Sequence, residues 1–313
     1  MARHIVGILT FCVLAFSVQA QRCDSLYAIS LNLFDKKDYQ ASLEAMNTVI
    51  SLCPSQTDYY VHRAKCYKEL RNYAAGIHSL NAAISIDSNC VEAWTEKALW
   101  EFDFQQYKEA IQSHQKVLSL LYSGDSTRQF FVMNLGALYV LTNQNEKAFN
   151  LLQPLCHKDT TNVSLLNFAA SAIYTKQFSE AEWALEKILS HSPDSVEALV
   201  NLGLCKSEQE DYESALSYFD KVLKINPNDA YALNNAGYAL LKIGKIQNAL
   251  DYINKSIQID SSNSYAYRNK VYVLRAQGAS SKEICKTIKL ALDKGFTDMY
   301  GDEMLRMQQE LCK

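Results

Sequence analysis

The sequence predicts an all-α solenoid of about eight stacked helix pairs, and three observations carry that reading. First, an aromatic residue is followed three places later by a small one at Tyr39/Ser42, Tyr73/Gly76, Tyr107/Ala110, Phe178/Ala181 and Tyr212/Ala215, with 34 residues between successive members of each run. Second, Gly (10) and Pro (4) are scarce in 313 residues that are 48% hydrophobic, a balance that favours helix. Third, five asparagines, Asn134, Asn167, Asn201, Asn235 and Asn269, stand 33, 34, 34 and 34 residues apart, each in an apolar run. Periods of this length mark supersecondary units that bury apolar surface against their neighbours rather than in one centre.

Residues 1–20 read as a secretory signal. Arg3 and His4 give a short basic start, and Ile5–Val18 is a 14-residue apolar run, short for a bilayer span. Val18-Gln19-Ala20 sets small residues where signal peptidase needs them, so cleavage is expected after Ala20. The chain is then expected in an oxidising compartment, the periplasm or the outer-membrane or extracellular side. Its formal charge of −3 becomes −4 on losing Arg3, and it carries no Lys/Arg block, which excludes nucleic acid as a natural partner.

From Cys23 the chain divides into units at about 23–56, 57–90, 91–126, 127–161, 162–195, 196–229, 230–263 and 264–297. Stops close several second helices: Pro54, Pro193 and Pro227, or Asp87-Ser88 and Asp260-Ser261. Pro acts there because it pushes the preceding residue out of the helical region. Ala110, Ala148, Ala181, Ala215 and Ala249 let each second helix approach the first, and Gly136, Gly203 and Gly237 do the same from the first helix. A helical Gly costs about 1 kcal/mol against Ala, so its recurrence at one register implies a close contact. Tyr122–Thr127 adds residues between units three and four, and Pro154 should kink or shorten the second helix of unit four. These suggest a joint between 21–126 and 127–297. The eighth unit is degraded at Val271 and Glu283, and residues 298–313 read as a capping helix.

Ala198-Leu-Val-Asn-Leu-Gly-Leu, Asp211-Tyr-Glu-Ser-Ala-Leu-Ser-Tyr-Phe, Asn226-Pro and Tyr231-Ala-Leu-Asn-Asn-Ala-Gly-Tyr-Ala-Leu resemble the tetratricopeptide repeat (TPR) family over whole units. The resemblance spans roughly Cys23 to Leu292 and implies a right-handed α-solenoid whose first helices line a concave groove. In long members of this family, asparagines in the ladder register contact ligand backbone. The resemblance therefore implies that Asn134, Asn167, Asn201, Asn235 and Asn269 face the groove. The lining expected around them is apolar at Met133, Val140, Leu166, Ile173, Val200 and Leu204. It ends in a basic, aromatic patch of Asn234, Tyr238, Arg268, Tyr272 and Arg275, where arginines can fork onto a carboxylate. Ala28, His62 and Glu96 hold the ladder place in units one to three, beside Asp58, Lys65, Glu69, Glu92 and Asp103. Tyr27 and Leu31 stand where the family's carboxylate clamp needs Lys and Asn, which disfavours a chaperone-tail clamp.

No motif for catalysis, phosphate binding or zinc is present, and the histidines are scattered. No enzyme activity, metal or small-molecule cofactor is expected. Eight cysteines follow the signal. Cys23 and Cys53 flank the first hairpin turn at equal distance, and Cys285 and Cys312 flank Thr297-Asp298 similarly, so both pairs are disulfide candidates, with Cys53–Cys90 competing. Cys66 and Cys205 take small-residue positions and are expected as buried thiols. The function expected is a scaffold or adaptor that holds an extended peptide or protein segment in its groove. The alternatives are a structural subunit that oligomerises through its convex face or ends, and a glycan-binding solenoid.

Overall fold

The computed structural model describes residues 2–158, 161–297 and 301–312, with side chains from Gln19 onward. Seventeen helices and no strand occur among the described residues. The chain divides into two compact units, Met1–Thr142 and Asn143–Lys313. That division falls between the two helices of the fourth pair, downstream of the 126/127 joint suggested by the inserted loop.

The first unit holds α1 (Ala2–Asp35), α2 (Tyr39–Leu52), α3 (Thr57–Glu69), α4 (Tyr73–Ile86), α5 (Val91–Asp103), α6 (Tyr107–Leu120) and α7 (Arg128–Leu141). The second holds α8 (Asn145–Cys156), α9 (Asn162–Tyr174), α10 (Phe178–His191), α11 (Val196–Glu208), α12 (Tyr212–Ile225), α13 (Ala230–Lys242), α14 (Ile246–Ile259), α15 (Ser264–Ala276), α16 (Ser281–Asp293) and α17 (Glu303–Leu311). Within each unit every helix packs on the next in sequence. In the second, α9 also touches α11, α11 touches α13 and α13 touches α15, so its first helices form one wall.

The turns repeat because the chain solves one problem at each hairpin. Arg71, Gln105, Lys176 and Glu210 take left-handed backbone angles just past a first helix, and Gly244 and Gly278 do so without a Cβ penalty. The next helix then starts on a capping side chain in several pairs: Asp38 accepts from Ala41 N–H, Asn72 from Ala75 N–H and Asp211 from Ser214 N–H. Pro154 sits inside α8, which ends at Cys156 and runs 12 residues where α6 and α10 run 14. The inserted loop is tied down by Asp125, which accepts from Thr127 N and Oγ1 at 2.8 and 2.6 Å.

Packing is local, as a solenoid requires. Val61 and Ala64 of α3, Leu80 and Ala83 of α4, and Ala93 and Trp100 of α5 form one cluster. In the second unit α12 buries Ala215, Phe219 and Val222, one helical stripe, against Ala236 and Ala232 of α13. The recurring glycines have a visible cause. A Cβ on Gly203 would stand 2.4 Å from the fully buried Phe219 ring. One on Gly237 would meet the Ile253 side chain at 2.6 Å and the Ala249 carbonyl at 3.2 Å.

Each end of the chain is stapled. Cys23–Cys53 joins α1 to the end of α2, and Cys285–Cys312 joins α16 to the end of α17, with Cα separations of 6.5 and 5.6 Å. Cys66, Cys90, Cys156 and Cys205 are free thiols, and Cys66 and Cys205 are buried. The expected cleavage point after Ala20 lies inside α1, where Gln19 Nε2 donates to the Leu52 carbonyl at 2.6 Å. No helix among the described residues is long and apolar enough to cross a membrane.

Two measurements check this packing. Gly203→Ala should lower the urea midpoint, because overpacking against Phe219 costs about 1–3 kcal/mol and outweighs a gain of about 1 kcal/mol in helix propensity. Denatured chain starting at Gln21 should alkylate at Cys66, Cys90, Cys156 and Cys205 without reductant, and at Cys23, Cys53, Cys285 and Cys312 as well after reduction.

Candidate functional site

α11 and α13 each touch a first helix on either side and their own partner behind, so only a narrow arc of such a helix is left over. On α9 that arc is Val163, Asn167, Ala170 and Tyr174, spaced four, three and four residues apart. Glu197, Asn201, Leu204 and Glu208 repeat it on α11, and Tyr231, Asn235, Tyr238 and Lys242 on α13. Val163, Tyr174 and Tyr231 are 62%, 68% and 64% exposed, large apolar side chains left open to solvent on one wall. Sequence reading missed these three. The signal was present as the residues four before and seven after each ladder asparagine, which lie on the same face of a helix.

The ladder itself separates into two kinds of rung. Asn167, Asn201 and Asn235 are half-buried within the arc. Asn167 makes no side-chain hydrogen bond among the described residues. Asn201 Nδ2 donates to the Glu197 carbonyl at 2.9 Å, which leaves its oxygen as an acceptor. Asn235 Oδ1 accepts from Asn234 Nδ2 at 3.4 Å, which leaves its own N–H groups. Asn134, on α7 of the first unit, is also half-buried.

Asn269 and Asn234 correct the expected lining. Both are buried, at 0% and 2% exposure, and Asn269 Nδ2 donates to Asn234 Oδ1 at 2.9 Å. Their amides satisfy each other inside the stack, so neither presents a face to a ligand. Ile173 is a second correction, since it enters the core with Phe168 and Leu185. The residue one place before a ladder asparagine packs toward the next first helix at Leu166, which joins the cluster that holds Ala198 of α11, and at Val200, which joins the cluster that holds Ala232 of α13. Met133, Val140, Leu166, Val200 and Leu204 are half-buried.

Arg268 is engaged within the chain. Its Nε donates to Glu303 Oε2 at 3.0 Å and its Nη2 to Glu303 Oε1 at 3.4 Å, while Nη1 donates to Asn269 Oδ1 at 2.9 Å. Tyr272 OH donates to the same carboxylate. The guanidinium lies 5.6, 5.0 and 4.6 Å from the ring centres of Tyr238, Tyr265 and Tyr272. Glu303 belongs to α17 and stands 34 residues after Asn269, in the ladder's own register. Extending the period by one step would have found it. Arg275 is exposed beside this cluster's helix end.

Electrostatics agree with the geometry. Burial alone would raise the Glu303 carboxyl, but the bonds from Arg268 and Tyr272 outweigh it and hold the group below the ordinary range. Burial and that same carboxylate push Tyr272 up to about 12. In the first unit the corresponding wall neutralises itself: Lys65 pairs with Glu92 at 2.6 Å and Glu96 at 3.7 Å. His62 is buried against Ser42 at 3.4 Å, and burial lowers its pKa. Burial also pushes the Cys156 and Cys205 thiols up to about 11, so both are protonated near neutral pH and poor nucleophiles. No group of three metal-ligating side chains gathers among the described residues.

A carboxyl held below its free value stabilises the fold above the unfolded value, about 4.3, and loses that contribution as pH falls through the lowered one. Glu303→Gln lacks it at every pH. The gap in urea midpoint between wild type and this variant should therefore be open at pH 7 and close as pH drops below about 4. A gap that stays constant would remove the ion pair from the account.

Comparison with known proteins follows the same register. Family models described as tetratricopeptide repeat match residues 24–56, 57–90, 196–229 and 218–251. Small glutamine-rich tetratricopeptide repeat-containing protein 2 of Saccharomyces cerevisiae is 25% identical over 93 residues, 30% of this chain and 26% of that protein. The chain thus spans about a quarter of that relative's length. A tetratricopeptide repeat protein from Parabacteroides merdae superposes with a TM-score of 0.53 at 13% identity, covering 81% of this chain and 99% of that one. The C-terminal part of a TPR repeat-containing protein from Cytophaga hutchinsonii gives 0.56 at 17% identity, covering 78% and 98%. Helix pairs on a 34-residue period, stacked into a solenoid and matched by these models over residues 24–90 and 196–251, show that the chain carries tetratricopeptide repeats, units that in their family serve as protein-interaction scaffolds.

Proposed function

We propose that the wall of α9, α11 and α13 holds an extended peptide segment of a partner protein. The observation that carries this is the coincidence, on one arc, of exposed Val163, Tyr174 and Tyr231 with the half-buried amides of Asn167, Asn201 and Asn235. A carboxamide offers donor and acceptor together, the complement of a peptide group whatever its side chain. Packed helices lie about 8–10 Å apart and an extended chain advances about 3.3 Å per residue, so one rung meets roughly every third residue of the ligand.

Magnitudes divide the labour. Three hydrogen bonds at about 1 kcal/mol net supply about 3 kcal/mol, short of the 4.1 kcal/mol of a millimolar complex. Affinity must come from the open side chains, each worth about 1.5–3 kcal/mol when fully covered. The amides set register and the aromatic rings hold. The ligand is accordingly an extended segment with apolar or aromatic side chains, bound reversibly.

The reading extends to location. The basic start, the apolar run Ile5–Val18 and two disulfides support export to an oxidising compartment, such as a Gram-negative periplasm or the outer side of its envelope.

Peptides enriched from a random library on the wild-type chain provide the probe. The triple variant Asn167→Ala, Asn201→Ala, Asn235→Ala should bind them about a hundredfold more weakly, from about 3 kcal/mol lost, with unchanged far-ultraviolet circular dichroism. Equal affinity would transfer function to the convex face or the ends of the stack.

A further inference from the structure

The end of the wall is closed by the chain itself. Glu303 stands one period beyond Asn269, and its carboxylate sits on Arg268 as the Asn269 amide sits on Asn234. Both contacts join a ladder position to the residue just before the ladder position of the preceding first helix. Thus α17 occupies the place of a ninth first helix, with an acid in the amide's register.

This helix is weakly held for a structural element. It has nine residues, fewer than an autonomous helix needs, and Asp302 at its start makes no side-chain cap bond. Only Met304 and Met307 of it are buried. Its Asp302–Arg306 pair is 66% and 68% exposed and adds little. What holds α17 is a covalent tie at Cys312, the burial of Met304 and Met307, and the contacts of Arg268 and Tyr272 with Glu303. The groups that receive that carboxylate all lie on α13 and α15: a guanidinium faced by three tyrosine rings and braced by the Asn269 and Asn234 amides, with Lys242 over Tyr238 and exposed Arg275 on the same helix as Arg268.

We propose that Arg268, Tyr238, Tyr265 and Tyr272 form a carboxylate-binding site of the inner wall, filled in the isolated chain by its own Glu303 and opened to an acidic segment of a protein partner when α17 lifts. Glu303 is an internal competitor. Tethering gives it an effective concentration of order millimolar, and the apparent dissociation constant of any incoming acid rises by the reciprocal of the fraction of time the site is open. Arg268 favours a carboxylate over a neutral amide because its fork matches two oxygens at once. The site centres on Arg268 of α15 and shares Tyr238 with the α13 end of the amide wall, and carboxylate binding there does not require a peptide on that wall.

The test uses the full chain carrying Glu303→Gln and Cys312→Ser, which vacates the receptor and unties the helix. The probe is a labelled synthetic peptide with the sequence of residues 301–311, alongside the same peptide with Gln at its glutamate corresponding to Glu303. The variant should bind the Glu peptide at least tenfold more tightly than the Gln peptide, and Arg268→Gln added to it should abolish that preference. Wild-type chain should bind the Glu peptide at least tenfold more weakly than the variant. Equal binding of the two peptides, or a preference that survives loss of Arg268, overturns the proposal. A second measurement covers the case of a misfolded variant: excess Glu peptide should speed hydrogen exchange in α17 of the wild-type chain and the Gln peptide should not. No acceleration by either overturns displacement. A dimer of the Cys312→Ser chain by light scattering, with its exchange in α17 unchanged, would give the receptor to a second copy's Glu303 and overturn the assignment to a different partner.

Discussion

Close approach of the two helices in each pair is the constraint on which the remaining structure depends. Where Gly203 faces Phe219 and Gly237 faces Ile253, not even a methyl group fits between the helices. Ala181, Ala215 and Ala249 keep that spacing from the other side, each fully buried. With the pair distance set, the rotation of each first helix about its axis is set too. The residues that touch neither the partner helix nor the flanking first helices then fall at one fourfold pattern, and they become the wall.

Within that wall, one neighbour decides what an asparagine does. Asn269 meets the amide of Asn234, and the two close on each other in a setting where an unpaired polar group would be costly. The positions corresponding to Asn234 two and one units earlier are Leu166 and Val200, side chains that offer no hydrogen bond. Asn201 and Asn235 therefore keep capacity that the protein does not use. A ladder uniform in sequence is divided in structure, structural at its end and available in its middle.

The helix α17 meets α15 and α16 through an apolar side and a polar side at once. Phe296, Met304 and Met307 cover the apolar side of α15 and α16, and Glu303 covers the polar side through Arg268 and Tyr272. A disulfide at Cys312 ties the end of α17 to α16. The same economy appears at the start, where Cys23–Cys53 ties α1 to α2 and packs with Met46, Val49 and Tyr59.

Much of this was legible in the amino-acid order because a repeat writes the same local rule many times. The period, the small residues at pair contacts, the helix shortened after Pro154, and the cysteine pairs at equal distance from hairpin turns all follow from spacing along one chain. What spacing alone did not determine is which face of a first helix remains after three sets of neighbours have packed on it. That placed Tyr174 and Tyr231 in solvent, drew Ile173 and Asn269 into the stack, and put an internal carboxylate on Arg268. Tertiary structure decided these points for one physical reason: exposure and pairing at a rung depend on the side chain contributed by the adjacent rung, about 34 residues away, and not on the rung's own sequence.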